Sequence, residues 1–302
     1  KYISIVIFTF IFGMILNEII SYGILFGFWL DLKGGYPVYF MHHVFYSVLL
    51  SFTVMALIYR FMIEKNLFLK VVEVIFILTM FGNLVISGGR TGQLTLIGTF
   101  ILTFLFFIKI SIKRVFLILL IPTIVFSLSY FTYSKFQERI DMFADDTKVA
   151  LVSHEYTSSF GNRLFGYVIT AKMFEVQEIQ NILFGFGIDN VQNEKKDLIA
   201  KWFPKTPNIQ GEYIQFHSSY VDVIWWSGLI GFFLMLSFLI SIIRVKIQDQ
   251  NVNFLKISLF FTVLFSSLAD SIMDNQYTLL LMAMFVGLVL AQNKYEEVKN
   301  VR

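Results

Sequence analysis

The sequence predicts an all-α, polytopic bundle of transmembrane helices, and three observations carry that prediction. The first is composition: 57% of the 302 residues are hydrophobic and 15% charged, where soluble domains carry about 25% charged residues. The second is run length, since several apolar stretches approach or exceed the about 20 residues that cross a bilayer. The third is charge placement, because lysines and arginines cluster in alternate short connections, as the positive-inside rule requires of spanning helices. The chain has no cysteine, so disulfides, thiol catalysis and thiolate metal sites are excluded. A formal net charge of +3 makes no case for nucleic acid as a partner.

About eight spans are expected. In order they are Tyr2 to Phe28, Val38 to Tyr59, Leu67 to Ile86, Leu94 to Ile108, Val115 to Tyr133, Tyr220 to Ile243, Phe254 to Ala269 and Tyr277 to Ala291. Asn17 and Glu18 interrupt the first, which is expected to bend or divide there. The last two are short, and one of them reads as re-entrant. Residues 1–133 thus form a five-span N-terminal bundle, 134–219 a large loop and 220–302 a three-span C-terminal bundle.

Four basic groups fix the orientation. Arg60, Lys65 and Lys70 follow span two; Lys109, Lys113 and Arg114 follow span four; Arg244, Lys246 and Lys256 follow span six; Lys294, Lys299 and Arg302 follow span eight. Alternation places all of them on one side, expected to be cytoplasmic. The opposite, extracytoplasmic side then receives Trp29 to Pro37, the turn Ser87 to Gln93, the long loop Ser134 to Ser219 and the acidic turn Asp270-Ser271-Ile272-Met273-Asp274. A loop of that length in a compact protein is usually functional or carries structure of its own.

Within the second of these segments, Ser87-Gly88-Gly89-Arg90-Thr91-Gly92 sets an arginine where span four begins. A helix start already carries partial positive charge from its unbonded N–H groups. No acidic residue occurs between Glu73 and Glu138 to balance the guanidinium. Glycines, N–H groups and Arg90 together suit an anion such as a phosphate. The alternative is an interfacial arginine extended to the membrane surface at a tight turn.

The loop opens with Lys135 to Ser159, polar and acidic, expected as a solvated connector. An amphipathic helix follows from Phe160-Gly161-Asn162-Arg163, with Phe165, Ile169, Met173 and Val176 on one face and Asn162 or Ser159 as its cap. Arg163 is a second arginine in a helix's first turn on the same side; a salt bridge to a loop carboxylate is the competing role. Leu183-Phe184-Gly185-Phe186-Gly187 reads as a glycine-rich turn, and Gln192 to Gly211 as irregular chain. His217, in Phe216-His217-Ser218-Ser219-Tyr220, stands at the mouth of span six. Histidine is the side chain best suited to move protons near neutral pH. His42, His43 and Asp31 show no recognisable metal-site spacing.

Taken in order, Ser-Gly-Gly-Arg-Thr-Gly, Gly-Asn-Arg with its amphipathic helix, Leu-Phe-Gly-Phe-Gly, His-Ser-Ser-Tyr and Ser227-Gly228-Leu229-Ile230-Gly231 resemble the bacterial O-antigen ligase and polymerase superfamily, which also includes protein O-oligosaccharyltransferases. The resemblance spans roughly Val71 to Phe233. It implies a multi-pass glycosyltransferase of the bacterial inner membrane with an extracytoplasmic active site. The implied donor is a glycan on undecaprenyl pyrophosphate; the acceptor is a glycan, lipid A core or protein, and membrane lipid is the surrounding partner. Its two pyrophosphate-binding arginines map onto Arg90 and Arg163, and its histidine onto His217, facing the acceptor hydroxyl. The resemblance implies no cofactor and no metal. Two departures stand out: Ser218 occupies a position where the family often has asparagine, and many members have more spans upstream. A polysaccharide polymerase shares the donor chemistry and differs in acceptor. A transporter or flippase would need ionisable groups or broken helices near mid-membrane; Glu18, Glu73 and Pro122 are the candidates.

Overall fold

The computed structural model describes residues 2–28, 38, 40–107, 112–204 and 216–301. These are helical almost throughout. The helices are α1 (Tyr2–Leu25), α2 (His43–Ile63), α3 (Leu67–Ile86), α4 (Arg90–Phe107), α5 (Ile112–Thr132), α6 (Ser134–Lys148), α7 (Ser159–Val176), α8 (Ile179–Phe184), α9 (Gly187–Trp202), α10 (Ser219–Arg244), α11 (Gln250–Ala269) and α12 (Gln276–Val301). Seven of them, α1–α4 and α10–α12, are long and apolar enough to cross a membrane. Helix α5 covers the remaining expected span. The expected segment Trp29 to Pro37 lies outside the described residues.

The chain divides into two compact units. The first comprises Lys1–Phe136, Ser241–Ser266 and Asn275–Arg302. Its centre is α2, which packs against α1, α3, α4 and α12 and is largely buried. Helix α4 approaches α2 closely because Gly89 and Gly92 lack side chains there; a Cβ at either would strike Ser47. Ser47 and Ser51 fasten the contact, with Gly92 N–H donating to Ser47 Oγ (3.1 Å) and Ser51 Oγ donating to the Gly92 carbonyl (2.6 Å).

Two expectations are corrected in this unit. Helix α1 runs unbroken through Asn17 and Glu18: the Asn17 amide donates to the Gly13 carbonyl one turn back (3.0 Å), and Glu18 is buried within the unit. Helices α11 and α12 are 20 and 26 residues long, so neither is a short re-entrant segment. Glu73 pairs with Arg60 (3.4 Å), which also reaches Glu64 (3.4 Å).

The second unit comprises Gln137–Ile240 and Ser267–Asp274. Its apolar core collects Phe165, Ile169 and Met173 from α7, Val191, Leu198 and Ile199 from α9, Phe216, and Val221 and Trp225 from α10. The amphipathic face expected of α7 is therefore a packing face, apart from half-exposed Val176. Ser158, rather than Asn162 or Ser159, caps α7 by accepting the Gly161 N–H (3.0 Å). The polar connector expected over Lys135 to Ser159 contains α6 and a π-helical turn, Val149–Ser153. The irregular chain expected from Gln192 is instead helix as far as Trp202. Val191, Lys195, Leu198 and Ile199 recur at helical spacing, which a count of polar residues conceals. The remainder of that stretch, from residue 205, lies outside the described residues.

Two resemblance motifs lock together here. Gly228 takes φ +64° and interrupts α10. The break exposes the Trp225 carbonyl, which accepts the Phe186 N–H (2.9 Å). Gly185, at φ +74°, lies against the Gly228 backbone, and a Cβ on Gly228 would collide with the Leu183 carbonyl. Both positions combine left-handed φ with backbone-to-backbone contact, which glycine alone tolerates.

Candidate active site

The chemically richest cluster of the second unit sits where α7, the start of α10 and the turn Ala269–Asp274 meet. Its centre is Asp270, a residue the sequence reading placed in an acidic turn without assigning it a role. One carboxylate oxygen, Oδ2, meets Arg163 Nη2 at 3.2 Å. The other, Oδ1, faces His217 Nδ1 at 3.4 Å and accepts the Ser271 N–H at 3.0 Å. Burial alone would push the Asp270 carboxyl up, but His217, Arg163 and the Ser271 N–H together hold it below the usual carboxylate range. Asp270 therefore stays ionised and accepts a hydrogen bond from each neighbour.

That pairing assigns the histidine's tautomer. With Nδ1–H directed at a carboxylate, a neutral imidazole carries its lone pair on Nε2. The 3.4 Å separation is long for a hydrogen bond. His217 has φ 48°, a left-handed conformation uncommon outside glycine. Strained backbone of this kind is maintained where surrounding contacts over-determine it. The contacts are visible: Ser219 N–H and Oγ both donate to the Asp270 carbonyl (3.2 Å each), and Ser218 Oγ donates to the Ser267 carbonyl (3.2 Å).

Ser218, the departure from the family pattern, is fully buried and bonded to Tyr167 Oη (3.0 Å). The single Tyr167 hydroxyl hydrogen lies between Ser218 Oγ and the Leu268 carbonyl (2.8 Å), and burial pushes the phenol up, so it stays protonated. The serine here ties the histidine's segment to α7 and the 267–270 turn.

Arg163 is more committed than a phosphate-binding fork requires. Its Nε donates to the Ala269 carbonyl (2.6 Å), and Nη1 donates to the Ser159 carbonyl (2.8 Å) and to Ser159 Oγ (2.6 Å). With the Asp270 contact, four of its five N–H groups have partners among the described residues. The competing role of Arg163, a salt bridge to a loop carboxylate, is realised with Asp270. The structure thus brings Arg163 and His217 together on one carboxylate.

Arg90 belongs to the first unit. It is half-buried and is the first residue of α4. The anion-site reading of its motif loses one component, because the Gly92 N–H is bonded to Ser47 and the two glycines serve the approach of α4 to α2. Among the described residues no group of three or more His, Asp or Glu is arranged to hold a metal ion.

The sequence reading missed Asp270, Asp222 and Lys195. Asp270 had one available signal, its position in an acidic turn on the side assigned to Arg163 and His217. The pairing of Lys195 with Asp222 (3.7 Å) had none, since the two lie 27 residues apart with no shared motif.

Two comparisons with known proteins bear on this arrangement. No match was found among curated proteins. A family model described as O-antigen ligase matches residues 75–236, more than half of the chain and inclusive of Arg90, Arg163 and His217. Members are membrane glycosyltransferases of the ligase and polymerase type. This multi-pass helical chain belongs to the O-antigen ligase family.

Proposed function

We propose that the protein transfers a glycan from undecaprenyl pyrophosphate to an acceptor hydroxyl on the extracytoplasmic face of the bacterial inner membrane, as an O-antigen ligase does, with lipid A core or a protein as acceptor. The observation that carries this reading is Asp270 held between Arg163 and His217, which brings a guanidinium and an imidazole onto one carboxylate with Nδ1 turned towards it.

In the reaction, His217 Nε2 takes the proton of the acceptor hydroxyl while that oxygen attacks the anomeric carbon of the donor. The bond from the anomeric carbon to the pyrophosphate oxygen breaks, and undecaprenyl pyrophosphate departs with the electron pair. General-base help of this kind contributes ~10²–10⁴-fold. Guanidinium groups meet the charge that develops on the leaving diphosphate, remaining protonated and pairing with phosphate oxygens. Arg90 and Arg163 are assigned this role, Arg90 on the sequence resemblance alone. Arg163 offers its charge and one N–H as it stands; releasing Ser159 would supply the second prong of a bidentate contact. With the charge carried by arginines, the proposal needs no metal and no cofactor. A single direct displacement inverts the anomeric centre.

The test is purified protein in liposomes, given undecaprenyl-pyrophosphate glycan and, separately, lipid A core, an acceptor protein and a second lipid-linked repeat unit, with and without chelator. Transfer to lipid A core or protein, unaffected by chelator and with inverted anomeric configuration, is expected. Transfer only to the second repeat unit would make the protein a polymerase. No transfer to any acceptor would refute the reading.

A further inference from the structure

One charged pair of the second unit takes no part in the chemistry above. Lys195, on α9, is 1% exposed and lies inside the apolar core, its Nζ 4.0 Å from the centre of the Phe216 ring and 5.8 Å from that of Trp225. Asp222, on α10, is also buried, and its Oδ1 lies 3.7 Å from Lys195 Nζ. Lysine is almost never fully buried unless paired. Replacing a buried ion pair by apolar side chains of similar volume is often neutral or stabilising. Stability is therefore a weak account of why a lysine and an aspartate occupy this core.

The connections of the pair point elsewhere. Asp222 Oδ2 accepts a short hydrogen bond from Ser271 Oγ. The N–H of that same Ser271 donates to Asp270 Oδ1, the oxygen that faces His217 Nδ1. A continuous chain thus runs from Lys195 through Asp222 and Ser271 to Asp270 and His217. A second route is shorter: the ring against which the Lys195 ammonium rests belongs to Phe216, the residue immediately before His217. Lys195 thereby buttresses both sides of the Asp270–His217 contact, at a histidine whose backbone is held left-handed.

We propose that Lys195 is a positioning residue for glycan transfer: paired with Asp222, it fixes the Ser271–Asp270 turn and the Phe216–His217 step, so that His217 Nδ1 meets Asp270 and Nε2 stays open to the acceptor. The inference rests on the transfer reaction proposed above. Burial lowers the Lys195 ammonium to about 8 even though Asp222 works in the opposite direction, consistent with a charge kept in the core by its partner.

The test uses the full chain in liposomes, with undecaprenyl-pyrophosphate glycan and whichever acceptor the wild type accepts, and compares Lys195→Met, Lys195→Met with Asp222→Asn, His217→Ala, and Lys195→Met with His217→Ala. Lys195→Met is expected to lower kcat about tenfold or more while the donor KM stays within about twofold, as for a group acting on the chemical step. Adding Asp222→Asn removes the stranded charge without restoring the ion pair and should recover less than about half of that loss; full recovery would trace the loss to the stranded carboxylate and overturn the positioning role. In the His217→Ala background, Lys195→Met should cost less than about twofold, because the group it positions is gone. If Lys195→Met does not accumulate in the membrane, Ser271→Ala breaks the same chain one link later and must show the same pattern. Near-normal kcat, or losses that multiply with His217→Ala, would overturn the positioning role while leaving the transfer reading intact. Normal transfer by His217→Ala itself would remove that reading and this inference with it.

Discussion

Replacing Asp270 by asparagine changes one atom of the carboxylate that joins Arg163 to His217. Asparagine keeps the shape and one acceptor oxygen, so Arg163 Nη2, now 3.2 Å from Asp270 Oδ2, retains a partner. The amide NH2 then faces His217 Nδ1. A donor there requires Nδ1 to be an acceptor, which moves the ring proton to Nε2 and removes the base. Losing general-base catalysis costs ~10²–10⁴-fold, or about 3–5 kcal/mol of barrier. Hydrogen bonds to charged groups contribute ~1.5–3 kcal/mol each; of the three contacts to Asp270, that of Arg163 survives, that of His217 reverses, and the Ser271 N–H (3.0 Å) loses its acceptor. Asp270→Asn should therefore insert and retain donor, yet transfer at least about a hundredfold more slowly. The assay is single-turnover transfer of labelled glycan beside a filter-binding measurement of donor. Wild-type turnover by Asp270→Asn would refute the assignment of Nε2 as base.

Other predictions follow from the same contacts. Because its neighbours hold the Asp270 carboxyl low in the folded state, its stabilising contribution is present above the unfolded value of about 3.9 and is lost as pH falls through the depressed folded value. Thermal unfolding below about pH 4 should therefore be less acid-sensitive in Asp270→Asn than in wild type. The lowered Lys195 ammonium acts in the same direction at higher pH: between about 8 and 10.5 the unfolded chain holds a proton that the folded one has released, so stability should rise with pH across that window and flatten in Lys195→Met. Gly228→Ala forces a side chain into a left-handed position against the Leu183 carbonyl, at about 1–3 kcal/mol, and should lower the Tm; an unchanged Tm would mean α10 is not broken there. Arg90→Lys should rescue Arg90→Ala poorly, because an ammonium lacks the planar fork; full activity in the lysine variant would exclude bidentate phosphate holding at that position.

The spans were legible because hydropathy and run length are one-dimensional properties. Arg90 and the start of α4 coincide as the Ser-Gly-Gly-Arg-Thr-Gly motif suggests. The purpose of the glycines was not legible, since the approach of Gly92 to Ser47 joins residues 45 apart in sequence. The apolar face of α7 follows from its 3.6-residue period, while α9 was hidden because only four of its sixteen residues are buried and one of these is a lysine. His217 was legible as a residue type at a helix entrance. Its orientation was not, because that depends on Asp270, 53 residues later and beyond the segment that the family model matches. Arg163 shows the converse: the motif singles out the residue, while its bonds to Ala269, Ser159 and Asp270 depend on the fold.

The most direct measurement of the central claim is the release of undecaprenyl pyrophosphate from a lipid-linked glycan donor by reconstituted wild type, Arg90→Ala, Arg163→Ala and His217→Ala, each supplied with acceptor. The account predicts release coupled one-to-one to glycan transfer in wild type, loss of both in the arginine variants, and retained donor binding with severely reduced release in His217→Ala. Wild-type release by either arginine variant, or transfer unaffected by His217→Ala, would contradict it.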